Sequence, residues 1–236
     1  MADFDLRVPL DFLSELALHN DRDWFQAHKD WYTASYQQFT RFSEAYIAGL
    51  SLIDDTLAGL QAKDCIWRIY RDVRFSADKR PYKEWFGVFP AAKGGKKSLH
   101  GGYYIHVEPG NCLLACGCYC LPTNILTACR NEIMGNIDTW RGIVEQPLFV
   151  ETFGKVGCKP WGDIHGFGIE HLKTCPSGFP RDYEFIEYLR MKDYCCWQQV
   201  PDDFFAQDDW IEKAIEIFKI AKPMMDFINN VVDDYE

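Results

Sequence analysis

Apolar residues recur at three- and four-residue steps at both ends of the chain and alternate singly in the middle. That change of period predicts helices, then strands, then helices. PLDFLSELALHN reads as a short helix with Phe12, Leu13, Leu16 and Ala17 on one side. Asn20 or Asp21 can cap a longer one, because a short polar side chain there accepts from the first free N–H groups. Its apolar face runs through Trp24, Phe25, Trp31, Tyr32, Phe39, Phe42, Tyr46, Ile47 and Leu50, which predicts a single helix from about Asp21 to Leu52.

The middle changes character. CIWRIYRDVRF, YKEWFGVF, GGYYIHVE and CLLACGCYC are short, β-branched or aromatic stretches between turn-formers, and each predicts a strand. EPGN is a tight-turn sequence, so Tyr103–Glu108 and Cys112–Tyr119 are expected to form a hairpin. Links this short favour antiparallel pairing, since parallel strands need long crossovers. LPTNILTACRNEIMGNIDTWRGIVEQ predicts helix split near Gly135, and Gly154 to Pro180 an irregular covering loop. EFIEYLRM then reads as a short helix and DYCCWQQV as a further strand. A final helix starts after Asp208 or Asp209, with Pro223 expected to kink it because proline lacks the N–H. The expected fold is one α+β domain over residues 1–236: a central, mainly antiparallel sheet flanked by N-terminal and C-terminal helices.

Composition narrows the class. The 236 residues are 47% hydrophobic and 25% charged, ordinary for a soluble globular chain, and 16% aromatic, which is high. No apolar run approaches the roughly 20 residues a membrane helix needs. The acidic start, MADFDLRVPLDF, is unlike a secretory signal, so a cytoplasmic location and no membrane partner are expected. Of the ten cysteines, Cys112, Cys116, Cys118 and Cys120 alternate on one predicted strand face and are expected as small buried hydrophobes. No CxxC pair occurs, so neither a structural zinc site nor any other metal is expected.

Charge changes the picture most. The net charge is -10, yet residues 63–97 hold ten Lys/Arg against four Asp/Glu, an excess of six cations. In RIYRDVRFSADKRPYK, the residues Arg68, Tyr70, Arg71, Asp72, Arg74, Lys79, Tyr82 and Lys83 crowd together. On a strand, Arg68, Tyr70, Asp72 and Arg74 would share a polar face, with Trp67, Ile69, Arg71, Val73 and Phe75 on the core side. Arginine's planar fork grips a carboxylate or phosphate through two parallel bonds. Asp72 is expected to hold one neighbouring guanidinium and leave another free for a ligand.

The hairpin adds to that face. Tyr104, His106 and Glu108 alternate with the more apolar Tyr103, Ile105 and Val107, and Tyr119 could join them from the next strand. A His–Glu pair two residues apart on a strand can move a proton, so His106 and Glu108 are the catalytic candidates. Asn20, Trp24 and Lys29 are candidates to close one wall. An Arg–Asp network that only locks the fold would give the same residue pattern, so site and lock both stand open.

The run RIYRDVRFSADKRPYK also resembles the signature of a bacterial family of conserved hypothetical proteins, domain of unknown function 2461. Arg68, Arg71, Asp72, Arg74, Phe75, Asp78, Lys79 and Tyr82 fit that pattern, and HNDRDWFQAHKDWY, GGYYIHVEPG and KPMMDFINN resemble its other segments. His28 stands where the pattern has Asn, and the Cys-rich strand is particular to this chain. The resemblance implies a single domain of about this length and no assigned activity.

No Walker loop, GxGxxG, GxSxG elbow or HExxH occurs, which removes the easily recognised nucleotide-binding and hydrolase classes and implies no cofactor. A small anionic ligand, phosphate or carboxylate, is the expected partner of the basic cluster. Docking of an acidic protein or a nucleic-acid backbone is the alternative. Nothing in the pattern sets an oligomeric state.

Overall fold

The computed structural model describes residues 4–157 and 164–235. In chain order the helices are α1 (Arg7–Leu18), α2 (Arg22–Ala27), α3 (Lys29–Leu50), α4 (Ala62–Cys65), α5 (Thr123–Gly135), α6 (Ile137–Val144), α7 (Pro147–Phe153), α8 (Ile186–Arg190) and α9 (Trp210–Asp233). The strands are β1 (Phe86–Val88), β2 (Gly102–Val107), β3 (Cys112–Cys118), β4 (His165–Phe167) and β5 (Tyr194–Val200). They form one antiparallel sheet in the order β1-β2-β3-β5-β4, so the class is α+β as expected. By contacts the chain falls into two compact units: Met1–Lys97, Tyr104–Leu113 and Val200–Ile215 in the first, Ser98–Tyr103, Leu114–Gln199 and Glu216–Glu236 in the second.

In the first unit, α1 and α3 bury most of the residues that the 3.6-residue period marked, but Ala17 is exposed and Trp31 and Tyr32 are only partly buried. Phe12, Leu13 and Leu16 of α1 are fully buried, and Phe12 meets Trp31 edge-on at 5.6 Å. Burying such a ring stabilises the fold by about 2–3 kcal/mol. Phe39 of α3 stacks on Phe86 of β1 at 5.2 Å, and Phe42 stacks on Trp210 at 4.6 Å.

The long helix expected from Asp21 to Leu52 is broken at His28, where φ is -108° and ψ 24°. The His28 ring stacks on Trp24 at 4.2 Å while Nδ1 donates to the Trp24 carbonyl at 2.8 Å. The imidazole thus competes for a helical carbonyl at the break. Asp21 caps α2, accepting from the N–H groups of Asp23 and Trp24.

In the second unit Trp140 of α6 is fully buried against Phe167, Tyr188, Tyr194 and Phe227. The split near Gly135, helix α8 and strand β5 fall where the periodicity placed them. The loop expected over Gly154 to Pro180 contains strand β4, which pairs His165 with Gln198 and Phe167 with Cys196. Residues 158–163 of that loop lie outside the described residues. Asp193 holds the chain after β4 by accepting from the N–H groups of Ile169 and Glu170 at 2.9 and 2.7 Å.

Cys112, Cys116 and Cys118 are buried, but Cys120 is exposed. Strand β3 ends at Cys118, and Cys120 turns into the left-handed region at φ 57°. The expected common face therefore holds three thiols, not four. The nine described cysteines are all unbridged.

Candidate functional site

The basic run lies in the first unit and forms an open hairpin rather than the strand expected over CIWRIYRDVRF. Residues 65–70 follow the free edge of β1: Trp67 N–H donates to the Gly87 carbonyl at 2.9 Å, and Phe89 N–H to Cys65 at 3.0 Å. Tyr70 then bridges Tyr82, with Lys83 N–H donating to Ile69 and Arg71 N–H to Pro81. A continuous ladder cannot form here. Pro81 has no N–H to return the bond that its carbonyl accepts from Arg71. The expected division into a core row and a polar row fails with it. Ile69 is buried, but Trp67 is 37% and Phe75 96% exposed.

The guanidinium groups pair within this hairpin. Arg71 donates to Asp78 at 2.7 Å and to the Arg80 carbonyl at 3.1 Å. Arg74 grips Asp72 through two bonds of 2.9 and 2.6 Å. Arg80 reaches Asp78 and, at 2.5 Å, Glu84. Asp72 thus holds Arg74, and the partner of Arg71 is Asp78 rather than the neighbouring Asp72. The Arg80 side chain and N–H, with Arg71, keep the Asp78 carboxyl well below the usual carboxylate range. Arg74 lowers Asp72 in the same way.

Six cations face three carboxylates between Trp67 and Trp85, so three cations have no acid of their own. They are Arg68, Lys79 and Lys83. Lys79 donates to the Val73 carbonyl at 3.0 Å, and Lys83 to the Arg68 carbonyl at 2.8 Å. The Arg68 guanidinium makes no hydrogen bond or ion pair among the described residues, though its charge helps to lower Asp72. Lys83 is half-buried, its ammonium 5.6 Å from the Trp67 ring and 4.6 Å from the Trp85 ring. Burial, and then the charge of Arg68, push its pKa down.

Trp85 continues toward the hairpin, its ring 4.9 Å from His106. On β2 the period-2 reading holds. Tyr104 Oη lies 2.8 Å from His106 Nδ1, and His106 Nε2 lies 3.1 Å from Glu108. Because a carboxylate only accepts, Nε2 carries the proton, Nδ1 is the acceptor and the Tyr104 hydroxyl donates. Asn111 donates to the same Glu108 oxygen at 2.5 Å. Burial pushes Glu108 up, but the bonds from His106 and Asn111 outweigh it and the carboxyl stays low. Burial pushes the Tyr104 hydroxyl well up. The imidazole is buried, so the chain Tyr104–His106–Glu108 is a proton path with one end in the protein.

Gly87, opposite His106 in the β1–β2 register, makes room for this path. A Cβ there would stand 2.8 Å from Tyr104 Oη and 2.9 Å from the Trp85 ring. Gly87→Ala should therefore cost about 2 kcal/mol by overpacking. It should also displace Tyr104, read as loss of the downfield imidazole N–H resonance of His106 by NMR. An unchanged spectrum and melting curve would disprove the crowding.

Two anchors tie the hairpin to the helices. Asn20 accepts from the Tyr82 N–H and donates to the Tyr82 carbonyl at 3.1 Å, so its amide stands in for a peptide group. The Tyr82 ring stacks on Phe25 at 3.9 Å, with Tyr70 at 5.4 Å from Tyr82. Asn20 thus ties the hairpin to the start of α2, and its amide also donates to Glu84 at 2.9 Å. Trp24 stacks between His19 and His28, and Lys29 covers Phe25 and Tyr32. Tyr119 falls beyond the end of β3, 56% exposed and in the second unit, so it does not extend the strand face. Trp85, Gly87, Arg80 and Asn111 are contacts that the sequence pattern did not mark.

No group of three or more His, Cys, Asp or Glu side chains is placed to hold a metal among the described residues. None of their helices is long and apolar enough to cross a membrane. An open cleft of about 730 Å³ in the second unit is lined in part by Leu148, Glu151, His165, Gln198, Lys219 and Pro223, none of them a predicted site residue. A family model described as a conserved hypothetical protein (DUF2461) matches residues 9–227. No curated protein and no solved structure matches the chain.

Proposed function

The chain belongs to this family of conserved hypothetical proteins, and we propose that its first unit binds a phosphate- or carboxylate-bearing ligand at Arg68 and Lys83, beside the Tyr104–His106–Glu108 proton path. One observation carries the reading. Lys83 is half-buried between two tryptophans, the charge that acts on it is another cation, and neither Lys83 nor Arg68 is in ion-pair contact with a carboxylate. Burying an ammonium beside a like charge is costly, and an anion between the two relieves it.

Arg71, Arg74 and Arg80 have a different role. Their carboxylates neutralise them and hold the hairpin open, so they position Arg68 rather than touch the ligand. Next to the anion, Tyr104 can pass its proton to His106 as it takes one from the ligand, with Glu108 stabilising the imidazolium. Its high pKa suits a relay and not a standing base.

Titration of inorganic phosphate into the full chain, followed by calorimetry, tests this. Saturable binding should weaken tenfold or more in Arg68→Ala, a loss of about 1.4 kcal/mol. Arg74→Ala should leave it within twofold, since that guanidinium is already paired. Equal binding by wild type and Arg68→Ala, or no saturation at all, would reject the reading.

A further inference from the structure

Nine large hydrophobic side chains stand exposed among the described residues, and three of them, Trp67, Tyr70 and Phe75, fall within nine consecutive positions of the basic hairpin. Packing accounts for part of this clustering, since Tyr70 lies 6.1 Å from Phe25 and 5.4 Å from Tyr82, but not for Phe75. Phe75 is 96% exposed, with only the Arg74 guanidinium near its face at 5.8 Å. Between and beyond these rings lie Arg68, which makes no ion pair, and Lys79, which bonds a carbonyl. Exposed rings interleaved with unneutralised cations are the two components of a single-strand binding surface: bases stack on the rings and phosphates meet the cations.

We propose that the hairpin binds single-stranded nucleic acid, with Trp67, Tyr70 and Phe75 as stacking platforms and Arg68 and Lys79 on the phosphates. The proposal rests on the anion reading above and names the anion as a strand's phosphodiester. A duplex fits less well, because it hides the base faces that the rings would stack on. A bilayer also fits less well, because it offers no base faces for the rings to stack on. With three cations lacking an acid, at most three phosphates are neutralised. The affinity should then fall with salt on a logarithmic slope of about -2, at roughly 0.7 per phosphate.

The test is fluorescence anisotropy of a labelled ten-nucleotide oligothymidylate with the full chain. The same length of duplex, inorganic phosphate and phosphatidylserine vesicles are run beside it. The single strand should bind in preference to the duplex and the vesicles, with the stated salt slope. Phe75→Ala should weaken it about tenfold and Phe75→Trp should restore it. Arg68→Ala should weaken both the strand and phosphate. Phosphate binding without strand binding would overturn this inference and leave the anion reading standing. Strand binding that ignores Arg68→Ala and Phe75→Ala would overturn it as well, as would equal binding of duplex or vesicles. Failure of phosphate and strand alike would overturn both readings.

Discussion

Gly117→Ala should cost the chain about 4 kcal/mol, a large part of the 5–15 kcal/mol that holds a typical domain folded. Gly117 sits in β3 at φ 127°, where an L side chain is strained. A Cβ there would also stand 2.0 Å from the Tyr194 carbonyl oxygen and 2.8 Å from Cys195 Cα, both backbone atoms of β5. A flexible side chain could swing aside, but a strand neighbour can move only by breaking its ladder. Urea unfolding followed by circular dichroism should show the midpoint falling by about 1–2 M. Gly135→Ala is the matched control. That glycine ends α5 with no atom near its Cβ position, and the change should be neutral or mildly stabilising. Similar midpoints for both variants would mean that β3 and β5 do not approach as described.

Asp193→Ala should be the next most damaging change, at about 2–3 kcal/mol, because it strips the acceptor from the Ile169 and Glu170 N–H groups. Asp193→Asn keeps one acceptor oxygen and should lose less. The two substitutions also separate hydrogen bonding from charge. Burial pushes the Asp193 carboxyl up, against the lowering effect of the N–H groups it accepts from. In the unfolded chain the group titrates near 4. Between about 4 and the raised native value, the native state therefore holds more proton than the unfolded one, and stability falls as pH rises through that window. Asparagine does not titrate. The stability advantage of wild type over Asp193→Asn should accordingly be larger at pH 4 than at pH 7 in matched urea titrations. An advantage that grows with pH would contradict a raised carboxyl.

What was legible in the sequence followed from period. Tyr104, His106 and Glu108 share a strand face because side chains alternate, and the model brings all three within hydrogen-bond reach along β2. The α1 and α3 cores followed from three- and four-residue spacing in the same way. Period failed where a single side chain decided the backbone. His28 stands at the break with φ -108° and ψ 24°, its ring sharing the Trp24 carbonyl with its own N–H. Pro81 has no N–H to give back to Arg71 and so ends the pairing of RIYRDVRF that the Tyr70–Tyr82 bridge begins.

Charge partners were the least legible. Arg71 has Asp72 beside it and yet pairs with Asp78 seven residues on, across the hairpin. Only knowledge of the turn distinguishes these two carboxylates. Strand β4 escaped for another reason. HGF carries a glycine and spans three residues, too few to display alternation, and its place comes from β5 and from the bonds of Asp193 just after it.

The pair of hydrogen bonds between Asn20 and Tyr82 also sets an order of assembly. The two residues are 62 positions apart, and Trp85 waits in turn for His106 on a later hairpin. A growing chain therefore completes α1 through α3 well before it can close the basic hairpin onto them. The loop-closure cost is met in one late step. A peptide carrying RIYRDVRFSADKRPYK alone would keep every charge but have nothing to hold Lys83 between its tryptophans. The half-buried setting of Lys83 would then be complete only once residue 106 has been made, so the proposed anion site would arrive together with the fold.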